Sequence, residues 1–116
     1  MPLKNLALNP AAMRAHAGDA TRLLKALANE SRLMVLCLLA EGEHSVGELN
    51  TELDLSQSAL SQHLALLRSD GLVSTRRDAQ TIYYALADGP AQQIMATLHR
   101  IFCEDGAGSV CKPAKG

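Results

Sequence analysis

Apolar positions along this chain mostly recur at intervals of three and four, and change to a strand-like run only between residues 72 and 86. The first spacing marks helices with one buried stripe, and the second marks short strands. The clearest stripe is Leu60, Leu64 and Leu67, inside the stretch 53–72. Ser56 precedes that helix as a natural N-cap, because its hydroxyl accepts from a free first-turn amide. Gly71 follows it as a stop, since glycine adopts a left-handed conformation without steric penalty. The opposite face carries Gln57, Ser58, Ser61, Gln62 and Arg68, with His63 beside them. A face of this kind is either ordinary solvated surface or a reader of base edges and phosphates, because Gln and Ser both donate and accept.

The other elements fall on either side of that helix. Asn9 and Pro10 start a first, Ala-rich helix, which suits a partner helix and a frayed surface helix equally. A second helix runs from about Asp19 to Ala28, with Leu23, Leu24 and Leu27 inward. A third is capped by Asn29 and runs from Glu30 to Glu41, with Leu33, Leu36, Cys37 and Ala40 on one face and Gly42 as its end. Ser45 and Glu48 have the spacing of a capping box, which opens a short helix over Val46 to Leu53. Two short helices joined by a tight turn make a helix-turn-helix, whose second member enters the major groove. After Gly71, LVSTRR and QTIYYAL predict a β-hairpin across Asp78 and Ala79, with Arg76, Arg77 and Gln80 near its tip. That tip is either a solvated turn or a wing that touches phosphates or the minor groove. Pro90 opens a last helix to about Glu104, whose Ile94, Leu98, Ile101 and Phe102 exceed what a small core requires and predict a dimer face.

The fold class that follows is mostly α with a small β-hairpin, a homodimeric winged helix-turn-helix. The expected organisation is an arm over residues 1–9, one domain over 10–104 and a flexible tail over 105–116. The net charge of −1 does not announce a nucleic-acid binder. Its distribution is more telling, since no Lys or Arg occurs between Leu33 and Leu67 and basic residues return at Arg68, Arg76 and Arg77. The longest apolar run, Leu33–Ala40, is too short to span a bilayer, and the N-terminus lacks a signal-peptide pattern. A cytoplasmic protein without membrane association is the expectation. Three cysteines fit a reducing compartment better than a disulfide scaffold. A thiol enzyme is disfavoured, because there is no Cys-x-x-Cys and no convincing Cys/His pair. No cofactor is implied.

Several stretches together resemble the ArsR/SmtB repressors, dimeric winged-helix proteins that leave operator DNA when a chemical signal binds. The matching pieces are residues 27–33 (LANESRL), 45–49 (SVGEL), 55–64 (LSQSALSQHL), 70–73 (DGLV) and 76–84 (RRDAQTIYY). The resemblance implies DNA contacts from Ser56, Gln57, Ser58, Ser61, Gln62, His63, Arg68, Arg76, Arg77 and Gln80. The family's arsenic and cadmium sensors carry Cys-Val-Cys where this chain has Ser45-Val46-Gly47. Its zinc sensors use Asp-x-His and His-x-x-Glu or His-x-x-His, where this chain has Pro90 after Asp88 and Phe102 after His99. Neither ligand set is present, and soft metals or zinc need several thiolates or about four donors.

Cys37 on the third helix and Cys103 near the end of the last one are similar in placement to the branch of that family that senses sulfide and reactive sulfur. There, repression is relieved when the two thiols are linked by a disulfide or polysulfide. The resemblance therefore implies reactive sulfur species or oxidants as inducer. Cys37 as a small core residue, and a metal site using Cys37, Cys103, Cys111 and His99, remain as alternatives. Cys103 is the expected accessible thiol, and Cys111 is expected to be incidental.

Overall fold

The computed structural model describes residues 7–104. The chain forms α1 (Pro10–Ala15), α2 (Ala17–Leu27), α3 (Glu30–Glu41), β1 (His44–Ser45), α4 (Val46–Glu52), α5 (Gln57–Ser69), β2 (Val73–Asp78), β3 (Thr81–Leu86) and α6 (Pro90–His99). A single π-helical turn over Arg100–Glu104 continues α6. Cys111, most of the expected arm and the expected tail lie outside the described residues. None of the described helices is long and apolar enough to cross a membrane.

The caps read from the sequence hold the helix starts. Asn9 Oδ1 accepts from the amides of Ala11 and Ala12 at 3.0 and 3.2 Å. Asn29 Oδ1 accepts from Arg32 N at 3.0 Å. Ser45 and Glu48 form the reciprocal pair, with Glu48 N donating to Ser45 Oγ at 3.1 Å and Ser45 N to Glu48 Oε1 at 2.8 Å. Ser56 Oγ accepts from Ala59 N at 3.0 Å. Gly71, at φ +74°, ends α5 in a left-handed turn. Leu72 N donates to Leu67 O and Gly71 N to Arg68 O, the two bonds of a Schellman motif. Leu67 and Leu72 are both in the core, so this motif also docks the far end of α5.

Leu36, Leu49, Leu60, Leu64, Leu67 and Val35 are the largest fully buried side chains. They come from α3, α4 and α5, so the helix-turn-helix is built around the protein's own core. Two faces differ from the expectation. On α3 the buried residues are Val35, Leu36 and Leu39, while Cys37 is half-buried and Ala40 exposed. This helix packs against α2, α5, α6 and β3, and a helix covered on several sides carries no single apolar stripe. On α2, Ala26 and Leu27 are buried but Leu24 is 60% exposed; the helix packs mainly on α1 and α3, and Arg22 pairs with Asp70 at the end of α5.

The hairpin forms in the register Arg76↔Tyr83, Arg77↔Ile82 and Asp78↔Thr81. Its two-residue loop is Ala79-Gln80. Ala79 sits at φ +62°, the one non-glycine positive φ among the described residues. A positive φ at the first loop position alone is the hairpin turn that glycine usually fills. β1 pairs with β3, His44 opposite Tyr84 and Ser45 opposite Tyr83, giving a three-stranded antiparallel sheet in the order β1-β3-β2. This third strand anchors the wing to the start of α4.

Candidate nucleic-acid interface and thiol pair

The surface of α5 follows from its period. With Leu60, Leu64 and Leu67 turned into the core, Ser58 and Gln62 stand opposite them, about one turn apart. Gln57, Ser61 and Arg68 lie along one flank and His63 along the other. Gln57, Ser58, Ser61, Gln62 and Arg68 are all exposed. Arg68 is about 16 Å farther along the helix axis than Gln57, which suits a backbone contact better than a shared base pair. The Ser56 hydroxyl already accepts from the first turn, which leaves its own proton and a second lone pair for an outward contact.

His63 is half-buried, and its surroundings differ from those of the residues beside it. Arg32, on α3, donates from Nε to Ala26 O at 2.8 Å and from Nη2 to Lys25 O at 3.2 Å, closing the last turn of α2. Its remaining nitrogen, Nη1, lies 3.4 Å from His63 Nδ1. Burial first, and the Arg32 charge second, push the His63 imidazole below its ordinary 6.5.

The wing separates two arginines that the sequence treats alike. Arg76 donates from Nε and Nη2 to the two carboxylate oxygens of Glu43, at 2.8 and 2.9 Å. Its guanidinium also lies 4.7 Å from the centre of the Tyr83 ring. The hydrogen bond from Arg76 holds the Glu43 carboxyl below its ordinary range. Arg76 therefore ties the wing to the α3–β1 connection. Arg77, one residue on and turned to the other side of the ribbon, is exposed and makes no ion pair among the described residues. Gln80 is exposed at the loop.

The two cysteines meet elsewhere. Cys37 on α3 and Cys103 in the last π-helical turn line one cavity of ≈ 180 Å³, with Leu33, Met34, Met95, Leu98, His99 and Phe102. Cys103 is disulfide-bonded, whereas Cys37 carries a free thiol; the two are not bonded to each other. Burial, and then the Glu41 charge, raise the Cys37 thiol above its ordinary 9.0. Cys37 is thus held protonated, while Cys103, expected as the accessible thiol, is half-buried like Cys37 and engaged in its disulfide. Among the described residues no three His, Cys, Asp or Glu side chains gather as a metal site. Near this cavity Met34, Ile101 and Phe102 are 46%, 52% and 49% exposed.

The sequence model for bacterial regulatory proteins of the arsR family matches residues 29–75, from the cap of α3 into β2. HlyU, a transcriptional activator of Vibrio cholerae serotype O1, is 51% identical over 102 residues, which cover 88% of this chain and 94% of that protein. The chain belongs to the arsR family. A second ArsR-family relative, the biofilm growth-associated repressor of Agrobacterium fabrum, is 49% identical over 92 residues, 79% of each chain. The crystal structure of the transcriptional repressor BigR from Xylella fastidiosa matches with a TM-score of 0.76 and 41% identity, over 84% of this chain and 100% of that one. This ArsR-family protein is therefore a DNA-binding transcriptional regulator with a winged-helix fold, and not an enzyme. Kinship leaves the direction of regulation open, since one relative is an activator and the other a repressor.

Two residues that shape this candidate interface carry no signal in the hydrophobic pattern. Arg32 lies within the matching stretch 27–33, but its reach to His63 spans 31 positions. Glu43 looks like one more acid in an acidic stretch until the sheet brings Arg76 to it.

Proposed function

We propose that this regulator is a homodimeric repressor that releases its operator when Cys37 and Cys103 become linked through sulfur. The observation that carries the reading is the shared cavity, which puts both cysteines between α3 and the end of α6. α3 packs against the recognition helix α5, and the end of α6 presents Ile101 and Phe102 to solvent. With a second copy covering those residues, a link across the cavity changes the dimer interface and the spacing of the two recognition helices together. Binding to successive major grooves requires a spacing of about 34 Å.

The DNA-facing set is Ser56, Gln57, Ser58, Ser61, Gln62 and His63 in the major groove. Arg68, Arg77 and Gln80 serve the backbone, and Arg76 joins them by exchanging Glu43 for a phosphate. For the switch, starting from the form in which the Cys103 disulfide is reduced, a cysteine thiolate takes the outer sulfur of a low-molecular-weight persulfide, giving a protein persulfide and the reduced thiol. The second cysteine thiolate then attacks the inner sulfur, forming the disulfide and expelling hydrosulfide. Longer polysulfides leave extra sulfur atoms in the link, which relaxes the roughly 7 Å limit on Cα separation for a direct disulfide. A differential of about 2.7 kcal/mol between linked and unlinked states lowers operator affinity about a hundredfold.

The test is an electrophoretic shift on the DNA upstream of the chain's own gene, with reduced protein, before and after glutathione persulfide. Release is expected for the wild type, together with a Cys37–Cys103 crosslink by mass spectrometry. Cys37→Ser and Cys103→Ser should remain on DNA. A double Cys37/Cys103 variant still released by persulfide would sink the mechanism, and a wild type that activates transcription when bound would reverse the sign of regulation.

A further inference from the structure

The contact between Arg32 and His63 bears on what the recognition helix is able to read, and the inference below rests on α5 being that helix. A guanidinium has only hydrogen-bond donors. Where Arg32 Nη1 faces His63 Nδ1 at 3.4 Å, the imidazole nitrogen has to be the acceptor. A neutral imidazole with a bare Nδ1 carries its proton on Nε2. Arg32 is itself held in place by the carbonyls of Ala26 and Lys25, so its third nitrogen points at α5 from a fixed fork.

The geometry points to Arg32 as a positioning residue that fixes His63 as the Nε2–H tautomer, making His63 a donor-only reader that recognises a hydrogen-bond acceptor on DNA. Nε2 has no partner among the described residues, and the ring sits on the flank of the exposed face of α5. Without Arg32, a neutral histidine presents either a donor or an acceptor and discriminates poorly. With it, the groups matched are purine N7, guanine O6, thymine O4 or a phosphate oxygen, and the donor amino groups of cytosine and adenine are rejected. The two arginine bonds to α2 also make lysine a poor replacement here, since an ammonium lacks the planar fork that serves three acceptors at once. The partial burial of His63 and the neighbouring positive charge work in the same direction, because both favour the neutral ring.

The first arm of the test is long-range proton–nitrogen NMR of the full reduced protein without DNA. The wild type should show a single Nε2–H tautomer at His63, and Arg32→Lys should show a mixture. A wild-type Nδ1–H tautomer would overturn the assignment. The second arm uses duplexes selected by the wild type from a random library. His63→Ala and Arg32→Lys should each weaken binding about tenfold, and the double variant should be no worse than His63→Ala alone. Additive losses would mean that Arg32 acts only through the fold, and a silent His63→Ala would remove His63 from the readout; either overturns the inference. Single 7-deazapurine or methylphosphonate substitutions then tell a base acceptor from a phosphate, because the matching one weakens the wild type and leaves His63→Ala unchanged. Analogues that lack guanine O6 (2-aminopurine) or thymine O4 (5-methyl-2-pyrimidinone) test the two remaining acceptors in the same way, and a duplex in which no acceptor removal weakens the wild type counts against a donor-only contact. Gln62→Ala serves as the separate check on α5 itself. If it shifts the selected sequence while His63 is silent, this inference fails and the recognition helix stands. If Gln62→Ala is also without effect, the major-groove reading of α5 falls first.

Discussion

Leu64 and Gln62 are two residues apart on α5, one at 1% exposure and the other in solvent. Leu64→Ala removes three carbons from a closed core, a transfer loss of about 2.4 kcal/mol at 0.8 per methylene. The cavity left behind adds to this, and buried Leu→Ala changes total about 3–4 kcal/mol. Unfolding entropy of about 2.1 cal/mol/K per residue gives roughly 0.24 kcal/mol/K over the 116 residues. The melting temperature should therefore fall by about 12–16 °C. Overall stability of about 0.05–0.15 kcal/mol per residue leaves the variant folded near room temperature. Gln62→Ala should leave the melting temperature within about 2 °C and cost about 1–3 kcal/mol of sequence-specific DNA binding. Leu66→Ala, at a position 40% exposed, is the control for a leucine on the same helix outside the core. Melting is followed by far-UV circular dichroism at one protein concentration, because any dimer makes the midpoint concentration-dependent. A Leu64→Ala shift under about 4 °C, or one no larger than that of Leu66→Ala, would refute the assigned faces of α5.

Three further outcomes follow from the wing, the thiol and the exposed end of α6. Arg77→Ala should weaken binding to all duplexes alike and flatten the salt slope by about one unit per site; a change confined to one sequence would contradict a phosphate contact. Cys37 is held protonated above the ordinary 9.0, so its alkylation by iodoacetamide in Cys103→Ser protein should keep rising with pH where a free thiol levels off. Glu41→Gln removes one of the two causes and should speed that reaction near neutral pH, and an unchanged or slower rate would be inconsistent with it. Ile101→Glu should give a monomer with poor operator affinity but a folded α5, by sedimentation and circular dichroism, whereas a wild type already monomeric at micromolar concentration would remove the proposed dimer face.

Local chemistry made most of the helical framework legible before any coordinates. Asn9, Asn29, Ser45, Glu48 and Ser56 cap helices within three residues of themselves, and Gly71 stops α5 through bonds to the turn just before it. Such features depend on neighbours in the chain, so they survive in the sequence as spacing. The exposed set on α5 was legible for the same reason, since Leu60, Leu64 and Leu67 define its complement. What only the tertiary structure decided is everything that joins residues distant in the chain. The β1 strand is two residues long, too short to show a period, and exists because β3 supplies its partner. Val35 and Leu39 are buried, and Ala40 is not, because α3 is packed from several sides and its apolar surface does not reveal which neighbour arrives where. Glu43 meeting Arg76, and Arg32 meeting His63, are pairings of side-chain geometry across 33 and 31 positions. A charge or a ring in a sequence does not state its partner; the packed core sets the distance at which one guanidinium meets a carboxylate and the other a histidine.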